Sequence, residues 1–110
     1  MTSEASGAGL PQELFTAIDH VGVAVPDFDA AVSLYRDVLG MRLVHEETNE
    51  EQGVHEAMMA VGDSGSCVQI LAPLSPTSTI AKFLDRSGPG LQQVAYRVTD
   101  VDAVCAVLRD

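Results

Sequence analysis

Apolar and polar residues alternate from Ile18 to Val25, a pattern typical of a β-strand with one buried face. Successive side chains of a strand point to opposite faces. One face carries only valines, which are Val21, Val23 and Val25. The other face carries His20 together with the small residues Gly22 and Ala24. We therefore predict a strand with one packed face and one face that leaves room above it.

A helix is predicted directly after this strand, because Pro26 ends the alternation and apolar residues then recur at helical spacing. The recurring positions are Phe28, Ala31, Val32, Tyr35, Val38 and Leu39. Asp27 is suited to cap the first turn, and Gly40 is suited to follow the last one. We expect the helix to bury its apolar stripe on the valine face of the strand.

Three more strand-like runs follow, separated by turn-forming residues. They are Arg42 to Glu47, Val54 to Val61 and Cys67 to Ala72. After a linker at Pro73 to Pro76, a short helix is predicted from Ser78 to Arg86. Its residues expected to point inward are Ile80, Phe83 and Leu84. The predicted order to the end of the third run is βαβββ.

The chain also repeats itself at an offset of 73 residues, which aligns Gln93 to Asp110 with His20 to Asp37. Identical pairs fall at core and capping positions and include Val21 with Val94 and Asp27 with Asp100. Two unrelated strand and helix units with similar caps are the alternative, but identity at both kinds of position favours a duplication. We therefore predict an α+β fold of paired βαβββ modules.

The repeat also predicts the domain organisation. We expect residues 1–17 to form a flexible tail and lead-in, and residues 18–90 to form the first module with its linker helix. Residues 91–110 then supply the first strand and helix of a second module, which is incomplete in this chain. We expect the sequence to be part of a longer protein.

Composition narrows the range of partners. The 110 residues are 46% hydrophobic and suit one small domain, for which a homodimer interface would supplement a thin core. With 6 basic and 16 acidic residues the net charge is -10, which disfavours nucleic acid and anionic membranes as partners.

Two distant cysteines without a CxxC pair favour neither a disulfide framework nor a structural zinc site. With no signal-peptide pattern at the N-terminus, we expect a cytoplasmic protein.

Three side chains are candidate metal ligands. His20 and Gln93 occupy equivalent positions of the repeat, so their two strand faces would converge on one cleft about a pseudo-twofold axis. Imidazole is a common ligand of divalent transition metals, although a lone strand histidine is more often structural. Gln69 lies in an apolar strand, where its amide needs a partner, either a metal or a backbone group. Its repeat counterpart would lie beyond Asp110.

Glu56 is the candidate acid or base. It alternates with Val54, Met58 and Ala60, so its carboxylate lies on a face that otherwise looks buried. Buried carboxylates are rare without a partner or a function, and a desolvated one suits a general base. The alternative is an edge strand from which Glu56 reaches solvent.

Two pairs of residues are weaker candidates. Lys82 and Arg86 lie one turn apart on the second predicted helix, whose N-terminus together with basic side chains could hold a phosphate or carboxylate group. Ordinary surface positions explain them more simply. His45 and His55 lie on neighbouring predicted strands, but their flanking residues look exposed, so we predict no metal site there.

Four stretches resemble the vicinal oxygen chelate superfamily, in which paired βαβββ modules surround one metal. They are DHVGVAVPD at Asp19 to Asp27, EEQGVHEAMMAV at Glu50 to Val61, VQILAPLSPTSTIAKFL at Val68 to Leu84 and GLQQVAYRVTDVDAV at Gly90 to Val104. Within the superfamily the sequence looks most like the methylmalonyl-CoA epimerase family. The QGV-x-E-x-MM and VQILAPL strings carry that resemblance, whereas HVGVAV fits any member.

The resemblance implies that His20 and Gln69 bind a divalent metal, with cobalt favoured, and that Glu56 is an acid/base carboxylate. Gln93 stands where the family usually has a histidine, so it would be a weaker oxygen ligand. The family's remaining ligand and catalytic partner is a glutamate on the last strand, which falls beyond Asp110. The residues to which we assign CoA binding are Ser78, Thr79 and Lys82.

The implied activity is that of an isomerase of propionate metabolism. It would interconvert (R)- and (S)-methylmalonyl-CoA by 1,1-proton transfer through an enolate. A metal stabilises the charge on the thioester oxygen, and carboxylates on opposite faces remove and return the proton.

Two other functions fit the same fold. A different enzyme of the superfamily, such as a glyoxalase or a dioxygenase, would also need a metal, but a dioxygenase site uses two histidines and a carboxylate, which Gln69 and Gln93 do not supply. A metal-free module that binds small molecules would need no Glu56. Such modules favour an aromatic cleft, and this chain has 5% aromatic residues and no tryptophan.

Overall fold

A computed structural model describes residues 14–102 and 105–106. The predicted tail therefore lies outside the described residues as far as residue 13, as does most of the helix predicted near the C-terminus. The fold is α+β, as predicted, with the first elements in the order βαβββ.

Five strands and two helices make up the described fold. The strands are β1 (Phe15–Ala24), β2 (Arg42–Asn49), β3 (Val54–Ala60), β4 (Cys67–Pro73) and β5 (Gly90–Val98). The helices are α1 (Phe28–Ser33), which continues as a π-helical turn (Leu34–Val38), and α2 (Thr79–Ser87). Among the last described residues, Val101, Asp102, Cys105 and Ala106 are helical.

The strands form one mixed sheet in the order β2-β3-β4-β1-β5. β1 runs parallel to β4 and antiparallel to β5, so it connects the other strands of the predicted first module to the first strand of the second. β1 begins earlier than the predicted Ile18, because pairing with β5 extends back to Phe15. Register shifts after Phe15 and Ile18 interrupt the alternation there, which is why the sequence pattern missed this part of the strand.

α1 covers the sheet at β3 and β4 instead of the valine face of β1. Its buried residues Ala31 and Val32 pack with a cluster formed by Ala57, Met59 and Ile70, and Val25 is the one valine of the predicted face that joins this cluster. β1 and β2 are separated in the sheet by β4 and β3, so the helix that connects them crosses over those two strands.

The end of the first helix also differs from the prediction. Asp27 caps α1 as expected, since its Oδ1 accepts a hydrogen bond from the backbone of Ala30 at 3.1 Å. The last turn is π-helical, with the backbone N–H of Leu39 bonded to Leu34 at 3.1 Å. A π turn holds more residues than an α turn, which rotates Val38 and Leu39 off the packed stripe. These two predicted core residues are 72% and 53% exposed.

α2 packs against the opposite face of the sheet. Ile80 lies in a buried cluster with Ala24, Val54 and Leu71, and Phe83 and Leu84 pack around that cluster as predicted. The two helices therefore cover different faces, and the face under α2 is the one that carries His20, Gly22 and Gln69.

Candidate active site

A pair of glutamines spans the centre of the sheet. Gly22 of β1 lies between Gln69 of β4 and Gln93 of β5 in one row across three strands. A Cβ atom at Gly22 would lie 2.6 Å from Cγ of Gln93, so only glycine leaves this path open. The Gln93 side chain crosses β1 and donates from Nε2 to Oε1 of Gln69 at 3.0 Å. The predicted partner of the Gln69 amide was a metal or a backbone group, and in this structure it is the side chain of Gln93.

A cleft of about 730 Å³ opens above these glutamines. Its walls include Glu56 of β3, Gln69, Gln93 and the first residues of α2, Ser78 and Thr79. Five of the seven predicted site residues therefore line one cavity. His20 and Lys82 are the two that do not line it.

Glu56 lies on an interior strand, so the edge-strand alternative is wrong. β3 pairs on one side with β2 and on the other with β4, where Glu47 and Leu71 lie opposite Glu56. The side chain is partly buried and belongs to the cleft wall. Glu56 therefore lines the cleft on the side away from β5.

His20 lies on the same sheet face, two residues before Gly22. Its side chain is 21% exposed, and its Nδ1 is 2.9 Å from Oδ2 of Asp19. Arg97 of β5 donates to the other oxygen of Asp19 at 2.7 Å. The hydrogen bond with His20, followed by those from Arg97, lowers the pKa of the Asp19 carboxyl below its ordinary value of 3.8.

The beginning of α2 forms one wall of the cleft. Ser78 is buried and caps the helix, accepting a hydrogen bond from the backbone of Ala81 at 3.1 Å and donating to the backbone oxygen of Ser75 at 3.2 Å. Both bonds engage its hydroxyl, whereas the neighbouring residue Thr79 is exposed in the cleft wall. Lys82 is exposed one turn further along the helix and does not line the cleft.

Several cleft residues had no signal in the sequence. Gln92 and Thr77 line the cavity, and so do Glu50 and Glu51 from the turn between β2 and β3. The acidic turn reaches the same cavity wall as the start of α2, and this position follows only from the folded arrangement. Gln92 occupies the register shift between β5 and β1, a feature that alternation alone does not predict.

The nitrogen and oxygen atoms of His20, Gln69 and Gln93 are of the kinds that bind divalent metals. None of the three side chains carries a negative charge to balance that of the metal. One imidazole and two amides share a sheet face, and Nε2 of His20 is free of the bond to Asp19. Among the described residues, no cluster of three or more His, Cys, Asp or Glu side chains is placed to hold a metal. His20, Gln69 and Gln93 would therefore form a ligand set without a carboxylate.

No helix within the described part of the chain is both long and apolar enough to cross a membrane.

Comparison with known proteins matches the chain to one protein family and to several solved structures. Residues 19–110 match the family model described as the glyoxalase/bleomycin resistance protein/dioxygenase superfamily. The chain is 54% identical to methylmalonyl-CoA epimerase from Mycobacterium tuberculosis, with a TM-score of 0.80 over 92% of this chain and 67% of that one. It is 42% identical to a methylmalonyl-CoA epimerase in complex with methylmalonyl-CoA and NH4+, with a TM-score of 0.78 over 87% of this chain and 69% of that one.

A curated relative is the uncharacterized protein YqjC of Bacillus subtilis, which is 37% identical over 79 residues, or 72% of this chain and 55% of that protein. The chain spans about half the length of the first curated relatives that it matches.

Proposed function

The chain belongs to the glyoxalase/bleomycin resistance protein/dioxygenase superfamily, and on that basis we propose that it acts as a methylmalonyl-CoA epimerase. The observation that carries this proposal is the cleft that joins the Glu56 carboxylate to the Gln69 and Gln93 pair on one sheet face. Its similarity to the Mycobacterium tuberculosis epimerase supports the same function. The reaction would interconvert the (R) and (S) forms of methylmalonyl-CoA.

Glu56 would remove or return the proton at C2 on one face of the substrate. A hydrogen next to a thioester carbonyl is weakly acidic, so its removal needs both a positioned base and stabilisation of the enolate charge. Glu56 lines the cleft from an interior strand, whose pairing on both sides fixes the backbone that carries it. The resemblance to the epimerase family implies a second carboxylate for the opposite face, on the last strand of the second module.

His20, Gln69 and Gln93 would hold a divalent metal, with cobalt as our first expectation. When bound, such a metal supplies Lewis acidity that stabilises negative charge on the thioester oxygen. Gln69 and Gln93 would each present a side-chain oxygen, which requires Gln93 to turn its amide from the bond seen here. The His20 ring would contribute Nε2 and is already held at Nδ1 by Asp19.

The CoA portion would lie along the beginning of α2. Thr79 offers an exposed hydroxyl in the cleft wall, and Ser78 would act indirectly by fixing the helix end. Lys82 and Arg86 add positive charge to the exposed side of the helix in a strongly acidic chain. We propose that Lys82 meets the anionic end of CoA outside the cleft.

The homodimer and the cytoplasmic location stay predictions.

The direct test is to incubate the protein with one pure epimer of methylmalonyl-CoA in D2O, with and without Co2+. We expect deuterium at C2 and formation of the other epimer, both dependent on the metal. The matched control is 2,2-dimethylmalonyl-CoA, which has no C2 hydrogen and should compete for binding without reacting. The proposal fails if neither exchange nor epimerisation occurs with any divalent metal tested, and isomerisation of a glutathione hemithioacetal would then favour the glyoxalase alternative.

A further inference from the structure

A chain of hydrogen bonds surrounds His20 and joins three separate segments. Oδ2 of Asp19 is 2.9 Å from Nδ1 of His20. The other oxygen of Asp19 accepts from Nε and Nη2 of Arg97 at 3.1 and 2.7 Å. Nη2 of Arg97 also donates to the backbone oxygen of Gly65 at 2.8 Å. Residues from β1, β5 and the turn between β3 and β4 are thus connected by hydrogen bonds to one imidazole ring.

The strand geometry makes this contact available. Ile18 pairs with Tyr96 and His20 pairs with Ala95, so the register shift leaves Asp19 without a partner on β5. A residue at such a bulge is released from strict alternation, and its side chain can turn toward that of its neighbour. Arg97 then reaches Asp19 from the adjacent strand.

The direction of the hydrogen bond between Asp19 and His20 determines which nitrogen of the imidazole ring carries the proton. A carboxylate only accepts hydrogen bonds, so its bond to His20 places the proton on Nδ1. In a neutral ring, Nε2 then carries the lone pair that a metal requires. Histidine ligands in metal sites commonly have their second nitrogen held by a carboxylate in this way.

We propose that Asp19 is a positioning residue that fixes the tautomer and orientation of His20, and that Arg97 holds Asp19 in place. The link from this role to metal binding rests on the proposed function. The repeat supports the assignment, because the counterpart of His20 is Gln93, whose amide has no tautomer to fix. The counterpart of Asp19 is Gln92, so the carboxylate occurs only in the copy that has the ring.

A contribution to the stability of the fold does not by itself explain the hydrogen bonds among His20, Asp19 and Arg97. The side chains of Asp19 and Arg97 are 40% and 47% exposed, and exposed ion pairs contribute little to folding. The same chain provides a matched pair away from the site. Arg36 and Asp37 form an exposed ion pair at 2.9 Å with no histidine in the bonds that connect them.

The test compares Asp19→Asn and Arg97→Gln with Asp37→Asn. The first measurement is the tautomer of His20 in the metal-free protein, read from two-bond 1H–15N correlations in the pH range where imidazole is neutral. The second is the affinity for Co2+, read from its ligand-field absorption, and the third is the free energy of unfolding without metal. Asp37→Asn controls for the loss of an exposed ion pair.

We expect Asp19→Asn to shift His20 toward the tautomer protonated at Nε2 and to weaken Co2+ binding roughly 10- to 100-fold. Arg97→Gln should produce the same changes to a smaller degree, and Asp37→Asn should produce neither. An unchanged tautomer in both Asp19→Asn and Arg97→Gln would overturn the proposal. A shifted tautomer with unchanged Co2+ affinity would support the positioning role while contradicting His20 as a ligand, so the two failures are distinguishable.

Discussion

Val21 and Val94 lie directly opposite each other in the antiparallel pairing of β1 with β5, and they are also equivalent positions of the 73-residue repeat. A residue that pairs with its own repeat counterpart marks the position of a local twofold axis. On either side of this pair, His20 lies opposite Ala95 and Gln93 lies opposite Gly22. The axis therefore brings the two candidate ligands His20 and Gln93 to the same sheet face, one step from the centre.

Replacing Gly22 with alanine should affect the site more than the fold. The new Cβ would displace Gln93 and break its bond to Gln69. Because Gln93 can move into solvent and alanine restricts the unfolded chain by about 0.4–1 kcal/mol, we expect the free energy of unfolding to change by less than about 1 kcal/mol. Co2+ affinity, measured by titration, should fall.

Gly40→Ala is the matched control for that substitution. Gly40 has a φ of +74° and nothing within 4 Å of the added atom, so the change costs only backbone strain, of about 1–3 kcal/mol. We expect a lower free energy of unfolding with unchanged Co2+ affinity. Weaker metal binding in Gly40→Ala, or unaltered binding in Gly22→Ala, would contradict the role given to Gln93.

Replacing Gln93 with histidine should strengthen metal binding. Imidazole is a better ligand for transition metals than an amide oxygen. We expect Co2+ affinity to rise by about tenfold or more in a calorimetric titration. His45→Gln is the control for incidental binding by surface histidines, because His45 is exposed and bonded to Glu47. An unchanged affinity in Gln93→His would exclude Gln93 as a ligand.

Alanine substitutions at Ser78 and Thr79 should distinguish the effect of helix capping from that of ligand binding. Ser78→Ala removes the N-cap of α2 and should lower the free energy of unfolding by about 1 kcal/mol, with acyl-CoA affinity largely retained. Thr79→Ala removes an exposed hydroxyl from the cleft wall and should weaken acyl-CoA binding at nearly unchanged stability. Chemical denaturation and calorimetry measure the two effects. If instead Ser78→Ala weakened acyl-CoA binding and Thr79→Ala lowered stability, Ser78 would be the residue that binds acyl-CoA directly.

The Arg36 and Asp37 pair should make a small contribution to stability that depends on pH. The hydrogen bond from Arg36 lowers the pKa of Asp37 below its ordinary value of 3.8. A lowered folded-state pKa stabilises the fold above that ordinary value, and the contribution is lost as the pH falls through the lowered pKa. Urea denaturation of the wild type and Asp37→Asn should thus differ most near neutral pH and low salt. A difference that grows in acid would contradict this sign.

The order of elements and the sheet face that carries the candidate site were predictable from local patterns. Alternation in β1 placed His20 and Gly22 on one face, and the repeat placed Gln93 beside them. The partnership of Asp19 with Arg97 was not predictable, because it depends on a bulge and on residues far apart in sequence. The exclusion of Lys82 from the cleft likewise depends on how α2 lies across the sheet.

Deuterium exchange at C2 of each pure methylmalonyl-CoA epimer is the most direct test of Glu56 as the base. With Co2+ in D2O, we expect Glu56→Gln to slow exchange of one epimer and overall epimerisation by about 100-fold or more. Glu46→Gln is the matched control, since Glu46 pairs opposite Ala57 on the α1 face of the sheet, and it should behave as the wild type. Wild-type exchange of both epimers by Glu56→Gln would contradict the proposed role of Glu56.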